Sequence, residues 1–515
     1  MADDGTPTSD AAAKAAPFTD RQARILEGPV GKALFHLSWP MSLGLFSVIA
    51  FNVVDTLYIG RLGTQQLAAI GYCFPVIFGL SAIAIGMGNG ATSVVARRLG
   101  AGEIQNAREL IMNTIVFVTL CALVLAGLMV FLSRPVFSLL GVSDELMPFV
   151  HQYMDVWYAG LPFLIVPIVL NGLIRATGDA FYPSVLMIIA AIVNAVLSPV
   201  LVFGLLGAPA LGMAGAAWAT ILARGVITVL YFVYLARLRL MAFSWSALSH
   251  FVDCVRDLMR FGAPAFAAQL VSPVAGAVIT RLLSDQGTEA VAAFTIGARI
   301  ETLALVPFFA LQTGIGPFVG QNVGAGNIDR LRRAERSVLW FCFGWGSLAS
   351  FILLVFGGSL AGLFTQDSTV LALADRYLAF IAFGFWGAGL MVVAVGIFNP
   401  LGYPNLGMAL SALRYLALYV GIAVSASILL TGQNAVYGIY ASASLSYAIA
   451  GGISLFFVHR LLDKPRDISD RDKAAPRKIV GHDDMRPVRH PSESFKDGEA
   501  PTDQTEVSRE PPKVP

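Results

Sequence analysis

Long apolar runs separated by short polar stretches recur along the chain, near residues 36–59, 68–96, 110–133, 150–174, 183–206, 211–236, 260–283, 291–320, 336–360, 374–398, 405–430 and 436–461. Each approaches or exceeds the roughly 20 residues that cross a hydrocarbon core as a helix. The pattern therefore predicts twelve transmembrane helices. It is also duplicated. Pro40 recurs as Pro264, Gly63-Thr64 as Gly287-Thr288, Gly100-Ala101-Gly102 as Gly324-Ala325-Gly326 and Tyr153 as Tyr377, each 224 positions later. Matches kept in one register over most of the chain mark an internal repeat. Six spans per copy is an even number, so both copies enter the membrane from the same side. They are parallel repeats about an axis along the membrane normal. The expected fold is an all-α integral membrane protein of two six-helix bundles, over residues 31–239 and 259–462.

Composition agrees with this layout: 56% of the residues are hydrophobic and 13% charged, far too apolar for a soluble protein of 515 residues. Arginine placement orients the chain. With a cytoplasmic N-terminus, the inside loops carry twelve arginines, among them Arg97, Arg98, Arg175 and Arg330, and the outside loops carry four, Arg61, Arg134, Arg281 and Arg376. Residues 1–30 lack the charged and apolar regions of a signal peptide and read as a polar cytoplasmic tail. Residues 240–258 read as an amphipathic interfacial linker. Residues 463–515 are charged and proline-rich and read as a disordered cytoplasmic tail. The net charge of +2 gives no argument for a nucleic-acid partner. Cys73, Cys121, Cys254 and Cys342 are isolated from one another, without metal or redox spacing.

The chemistry that remains lies in the few polar residues within the spans. Asp55 stands about five residues before the outer end of the first span, three positions after Asn52, so the two can share a helix face. A carboxylate there costs about 2.5–3.5 kcal/mol on insertion scales, which points to a proton-exchanging site on a cavity wall. The bland reading pairs it with Arg61 or a helix end. Arg299 and Glu301 are two apart, face different ways and each need a partner on another helix; structural clamp and cavity wall are both open. Arg224 and Arg414 are read as paired or snorkelling, although an arginine facing the cavity would repel cations and hold anionic or lipid groups. Gln269 is a candidate cavity hydrogen-bonder. Phe163 and Met187 are candidates for a greasy, adaptable lining. Pro40 and Pro264 sit in the first helix of each half, where a missing N–H permits a bend, and are candidate hinges. Gly86-Met87-Gly88-Asn89-Gly90 has neither a preceding strand nor a following Lys-Ser or Lys-Thr, so it reads as close helix packing and not as a phosphate loop.

The stretch Asn52-Val53-Val54-Asp55-Thr56-Leu57-Tyr58-Ile59-Gly60-Arg61-Leu62-Gly63 resembles the end of the first helix in multidrug and toxic compound extrusion (MATE) transporters. Gly297-Ala298-Arg299-Ile300-Glu301, followed by Pro317 to Gly326, is similar to the eighth helix of the DinF-like bacterial branch. The resemblance implies an exporter of cationic or amphipathic organic compounds in the inner membrane, driven by proton or sodium antiport. Pro40 and Asp55 match that branch's bending proline and coupling carboxylate, Asn194 a polar partner on the fifth helix, and Thr220 a position on the sixth. The chain departs from the pattern at Leu197-Ser198-Pro199, where the branch has a second acid before proline.

The loss of that acid favours protons over sodium, because a hard cation prefers several oxygen ligands and more than one negative charge. Sodium at Asp55 and Asn194, with Ser198 and Thr220 adding oxygens, stays as the second choice. No nucleophile–base set, metal cluster or nucleotide loop supports an enzyme, and no cofactor is expected. The partners expected are small organic molecules and the bilayer, with a monomeric protein. A lipid or lipid-linked oligosaccharide flippase is the leading alternative, kept open by Arg224, Arg299 and Arg414. A channel or non-transporting scaffold is the lesser one.

Overall fold

The structure is a computed structural model that describes residues 20–241 and 250–463. Among these residues it is all helix, with no strand. The N-terminal half comprises α1 (Val30–Gly60), α2 (Thr64–Gly100), α3 (Ile104–Leu139), α4 (Met147–Ala159), α5 (Leu161–Ala176), α6 (Phe181–Phe203) and α7 (Gly212–Arg237). The C-terminal half comprises α8 (Phe251–Ser284), α9 (Thr288–Gly324), α10 (Ile328–Gly362), α11 (Ser368–Phe398), α12 (Pro404–Leu429) and α13 (Gln433–Leu462). Among the described residues eleven helices are long and apolar enough to span a membrane, and the bent pair α4–α5, taken as one span, makes a twelfth.

The repeat seen in the sequence is a repeat of packing. In the first half α1 lies on α6, α6 on α7, α2 on α5 and α3 on α5; in the second half α8 lies on α12, α12 on α13, α9 on α11 and α10 on α11. Between the halves, α2 packs on α8 and α1 on α9, so these two contacts exchange under the pseudo-twofold. Large apolar side chains such as Phe131 on α3 and Trp340 on α10 face outward, as lipid contact requires.

The halves differ where their sequences do. The fourth span breaks by 52° at Gly160, with Pro162 at the start of α5 and Pro167 within it. The repeat-equivalent positions hold Trp386 and Met391, and α11 runs on unbroken. The paired prolines remove two hydrogen-bond donors and force the turn. The C-terminal half has its own irregularity, a π-helical stretch over Leu413–Val420 within α12. Pro40 and Pro264 lie inside continuous helices.

The glycines of α2 and α9 set how closely the halves meet. A Cβ on Gly90 would lie 2.8 Å from the Gly262 nitrogen, and one on Gly86 2.6 Å from the Phe266 nitrogen. The repeat mate of Gly90 is Gly314, whose Cβ would lie 2.6 Å from Ser38 Oγ. At the turn end the symmetry holds again: Gly100 abuts the Gln321 carbonyl and Gly324 the Arg97 carbonyl. The expected close backbone approach at Gly86–Gly90 is thus seen. The end of the molecule bearing the two Gly-Ala-Gly turns is packed shut.

Two segments expected outside the bundles differ from the sequence reading. Residues 20–26 are helical and held to both halves. Residues 251–258 of the expected linker form the first turns of α8. Residues 242–249, 1–19 and 464–515 lie outside the described residues.

Candidate functional site

A cavity of about 1430 Å³ lies between the halves, walled by α1, α2 and the α4–α7 helices on one side and α8, α9, α11 and α12 on the other. It is closed from the turn end by the glycine contacts, by Gln321 Nε2 donating to the Ala176 carbonyl at 2.7 Å, and by Arg175 Nη1 donating to the Thr313 carbonyl at 3.0 Å. Past Gly86 the lining continues to Gly71 on α2 and Ala277 on α8.

Asp55, Asn194, Ser198 and Thr220 meet on its N-terminal wall. Asn194 and Ser198 are one turn apart on α6 and share a face. The Thr220 hydroxyl donates to the Ala216 carbonyl at 3.2 Å, which leaves its oxygen to accept from Asn194 Nδ2 at 3.0 Å. That fixes Asn194 Oδ1 toward Ser198 Oγ, 3.2 Å away. Ser198 Oγ also lies 3.3 Å from Asp55 Oδ1. All four side chains are buried, and Asp55, Asn194 and Thr220 border the cavity. A hydroxyl has one hydrogen. Ser198 therefore stands between two acceptors, and its orientation reports whether Asp55 is charged.

The other candidates divide. Asn52, Met187 and Gln269 line the cavity; Asn52 is turned back on its own helix, donating to the Val48 carbonyl at 2.9 Å. Pro264 lines it too, whereas Pro40 does not. Arg299 is exposed and off the cavity. Phe163 is 43% exposed and faces away, beside Gly225. Glu301 is buried outside the cavity wall, accepting from Tyr377 and Tyr447 hydroxyls, both at 2.6 Å. Arg414 stacks between Tyr415 and Tyr447, 3.9 and 3.8 Å from their ring centres. Arg299, Glu301 and Phe163 thus leave the cavity set, and Glu301 and Arg414 both hold Tyr447 within the C-terminal half. The reason is rotational phase: in a helix buried on most sides, neighbouring positions face different partners.

The wall also holds residues that the sequence reading had not placed there. Tyr153 and Trp157 line it from α4, Arg175 from α5, and Gln312 and Asn399 from the C-terminal half. Arg175 Nε donates to Asn171 Oδ1 at 2.8 Å, and Asn171 Nδ2 donates to the Tyr231 hydroxyl at 3.2 Å. The available signal was polarity inside an apolar run, as with the i, i+4 pair Asn171 and Arg175.

The MatE family profile matches residues 40–200 and 264–425, one segment in each half. The FAD transporter of Shewanella oneidensis is 31% identical over 78% of this chain and 89% of that protein. The multidrug export protein MepA of Staphylococcus haemolyticus is 24% identical over 68% of this chain and 77% of that protein. The crystal structure of the Vibrio cholerae MATE transporter VcmN in the bent form superposes with a TM-score of 0.81 at 27% identity, covering 87% of this chain and 99% of that one.

Proposed function

The chain belongs to the MatE family, multi-pass membrane transporters and not enzymes, and from that premise we propose that it is a proton-coupled secondary exporter of amphipathic organic compounds. The observation that carries this reading is the buried Asp55–Ser198–Asn194–Thr220 chain on the wall of the central cavity. When Asp55 is ionised, Ser198 donates to it. When Asp55 takes a proton, the new O–H can donate to Ser198, whose own hydrogen turns to Asn194 Oδ1. Asp55 keeps Ser198 as a partner in both states and only Asn194 Oδ1 gains or loses a donor, so the cluster suits a group that is charged in one half of a cycle and neutral in the other. One carboxylate suffices for a proton, whereas sodium would find a single compensating charge. The molecule sits in an inner membrane with both termini cytoplasmic, and the shut end is the cytoplasmic one. Export requires that end to open and reclose while cargo is held between the halves.

A second reading of the cargo is favoured by the likeness to the FAD transporter, over 89% of that protein: a flavin nucleotide or similar aromatic anion in place of an organic cation. The test is transport in proteoliposomes under imposed proton or sodium gradients, with ethidium and FAD as cargoes, for the native chain and Asp55→Asn. Proton-driven flux lost in Asp55→Asn supports the reading. Flux driven by sodium alone, or flux unaffected by the substitution, overturns it.

A further inference from the structure

Asp55, Arg175 and Arg224 are the only Asp, Glu, Lys, Arg or His side chains on the cavity wall among the described residues. The cavity that would receive a cationic drug therefore carries two guanidinium groups and one carboxylate. Arg175 is committed to the Asn171 side chain and the Thr313 carbonyl, where it helps shut the turn end. The Arg224 side chain has neither a hydrogen bond nor an ion pair among the described residues, and its electrostatic neighbours are Tyr153 and Tyr231, not an acid.

The two structural explanations for such an arginine fail on geometry. No acid pairs with it among the described residues. Snorkelling is out of reach, since Arg224 lies twelve residues from Gly212 and thirteen from Arg237 in α7, about 18 Å or more from either end at 1.5 Å per residue. An arginine side chain is far shorter than that. Its place on the helix agrees: Thr220, Arg224, Ile227 and Tyr231 recur at helical spacing along one face of α7, and all four line the cavity. Arg224 thus stands one turn from the Asp55 cluster, with aromatic rings at Tyr153, Trp157 and Phe74 on the same half of the wall.

We infer that Arg224 is the anion-recognising residue of this cavity, and that the cargo is an aromatic organic compound bearing a phosphate or carboxylate. An unpaired guanidinium offers five donors in a planar fork suited to those groups. The rings offer stacking faces to an aromatic body. The inference rests on the transport reading only for the direction of movement; recognition itself is read by binding. A lipid-linked pyrophosphate would present the same anionic chemistry with a polyprenyl body.

The test is equilibrium binding to the purified full chain in lipid nanodiscs, with FAD, riboflavin, ethidium and a polyprenyl pyrophosphate as probes. FAD and riboflavin share the flavin ring and differ in charge. FAD is expected to bind at least about tenfold more tightly than riboflavin or ethidium, and Arg224→Gln to bring FAD down to the riboflavin level. Arg224→Lys keeps the charge and should retain part of the difference, with an unchanged melting temperature confirming that both variants fold. Equal affinities for FAD and riboflavin, preference for ethidium, or FAD binding unaffected by Arg224→Gln would each overturn the inference. Tight, Arg224-dependent binding of the polyprenyl pyrophosphate without FAD binding upholds the anion site and overturns the aromatic cargo. If binding behaves as expected while proton-driven flux is absent, it is the coupling reading that falls.

Discussion

The Ser198 hydroxyl lies 3.3 Å from Asp55 Oδ1 and 3.2 Å from Asn194 Oδ1, so one hydrogen faces two acceptors on two helices. Hydrogen bonds to charged groups contribute about 1.5–3 kcal/mol, and this one is made only while Asp55 is ionised. Ser198→Ala should therefore slow proton-driven flux about tenfold, and Asp55→Asn should abolish it. Initial rates in proteoliposomes under a fixed proton gradient check both. A Ser198→Ala rate equal to the native one would show that the hydroxyl is only packing.

Ser198 occupies the position where the DinF-like pattern has an acid, and its oxygen already faces Asp55. Ser198→Asp would put two carboxylates and the Asn194 and Thr220 oxygens around one point, a better set for a hard cation. Sodium-driven flux is expected to be absent or weak in the native chain and to appear in Ser198→Asp. The measurement is flux under a sodium gradient with the pH clamped.

Asp55, when ionised, and Arg224 carry opposite charges on one wall, which sets the sign of a further outcome. Asp55→Asn removes the only carboxylate of the cavity among the described residues, so FAD affinity should hold or rise while proton-driven flux is lost. A fall in FAD affinity would mean that Asp55 itself contacts the cargo. The expected sign also bears on mechanism. Charge alone does not make a proton and an anionic cargo compete, so their exclusion would have to come from the conformational change and not from a shared site.

Much of this molecule was legible in its sequence. The twelve spans follow from apolar length, and the repeat implies that a contact between the halves has a symmetric mate, as α1–α9 and α2–α8 do, without saying which helices meet. Asp55, Asn194, Ser198 and Thr220 were named together and meet in the structure. Rotational phase was not legible: Arg299 and Glu301 were offered to the cavity, yet one is exposed and the other is clamped between Tyr377 and Tyr447. The 52° break at Gly160 was hidden in a span with good apolar length, although Pro162 and Pro167, without prolines at their repeat mates, marked the place. The role of Arg175 depends on a carbonyl of the opposite half and that of Arg224 on partners missing among the described residues, and a sequence shows neither.

Gly100 and Gly324 provide a symmetric test of closure. Each abuts a carbonyl of the opposite half, that of Gln321 and of Arg97 respectively, so an added methyl must push the halves apart. Overpacking of this kind costs about 1–3 kcal/mol, here charged to the shut state alone. Gly100→Ala and Gly324→Ala are each expected to reduce flux by about tenfold or more, and by similar amounts. Gly127→Ala, where nothing lies within 4 Å, should leave flux unchanged. Unequal effects at the paired sites would show that the shut end is not symmetric in energy.

The segment before α1 makes the last expectation. Arg21 forms an ion pair with Asp179 at 3.0 Å and donates to the Tyr234 hydroxyl at 2.7 Å, both in the N-terminal half. From the C-terminal half, Arg330 Nη2 donates to the carbonyls of Ile25 and Gly28 at 2.8 and 2.7 Å, and Asn322 holds Arg330 Nε at 3.1 Å. Ile25 itself is buried in the seam. Residues 20–28 thus brace the shut end from both sides, and opening that end must break one set of bonds. Arg330→Ala takes the Arg330 donor from the Ile25 and Gly28 carbonyls and leaves Ile25 only the longer bond from Asn322 Nδ2 at 3.4 Å, a loss of about 1–3 kcal/mol. Amide hydrogen exchange over residues 20–28 and 97–101 should then quicken by about tenfold, while exchange in α3 and α10 near the lipid stays as before. Arg330→Lys keeps the charge but not the fork, so it should fall between the two. Exchange that quickens only over 20–28 would mean that the segment rides on the surface without holding the halves together.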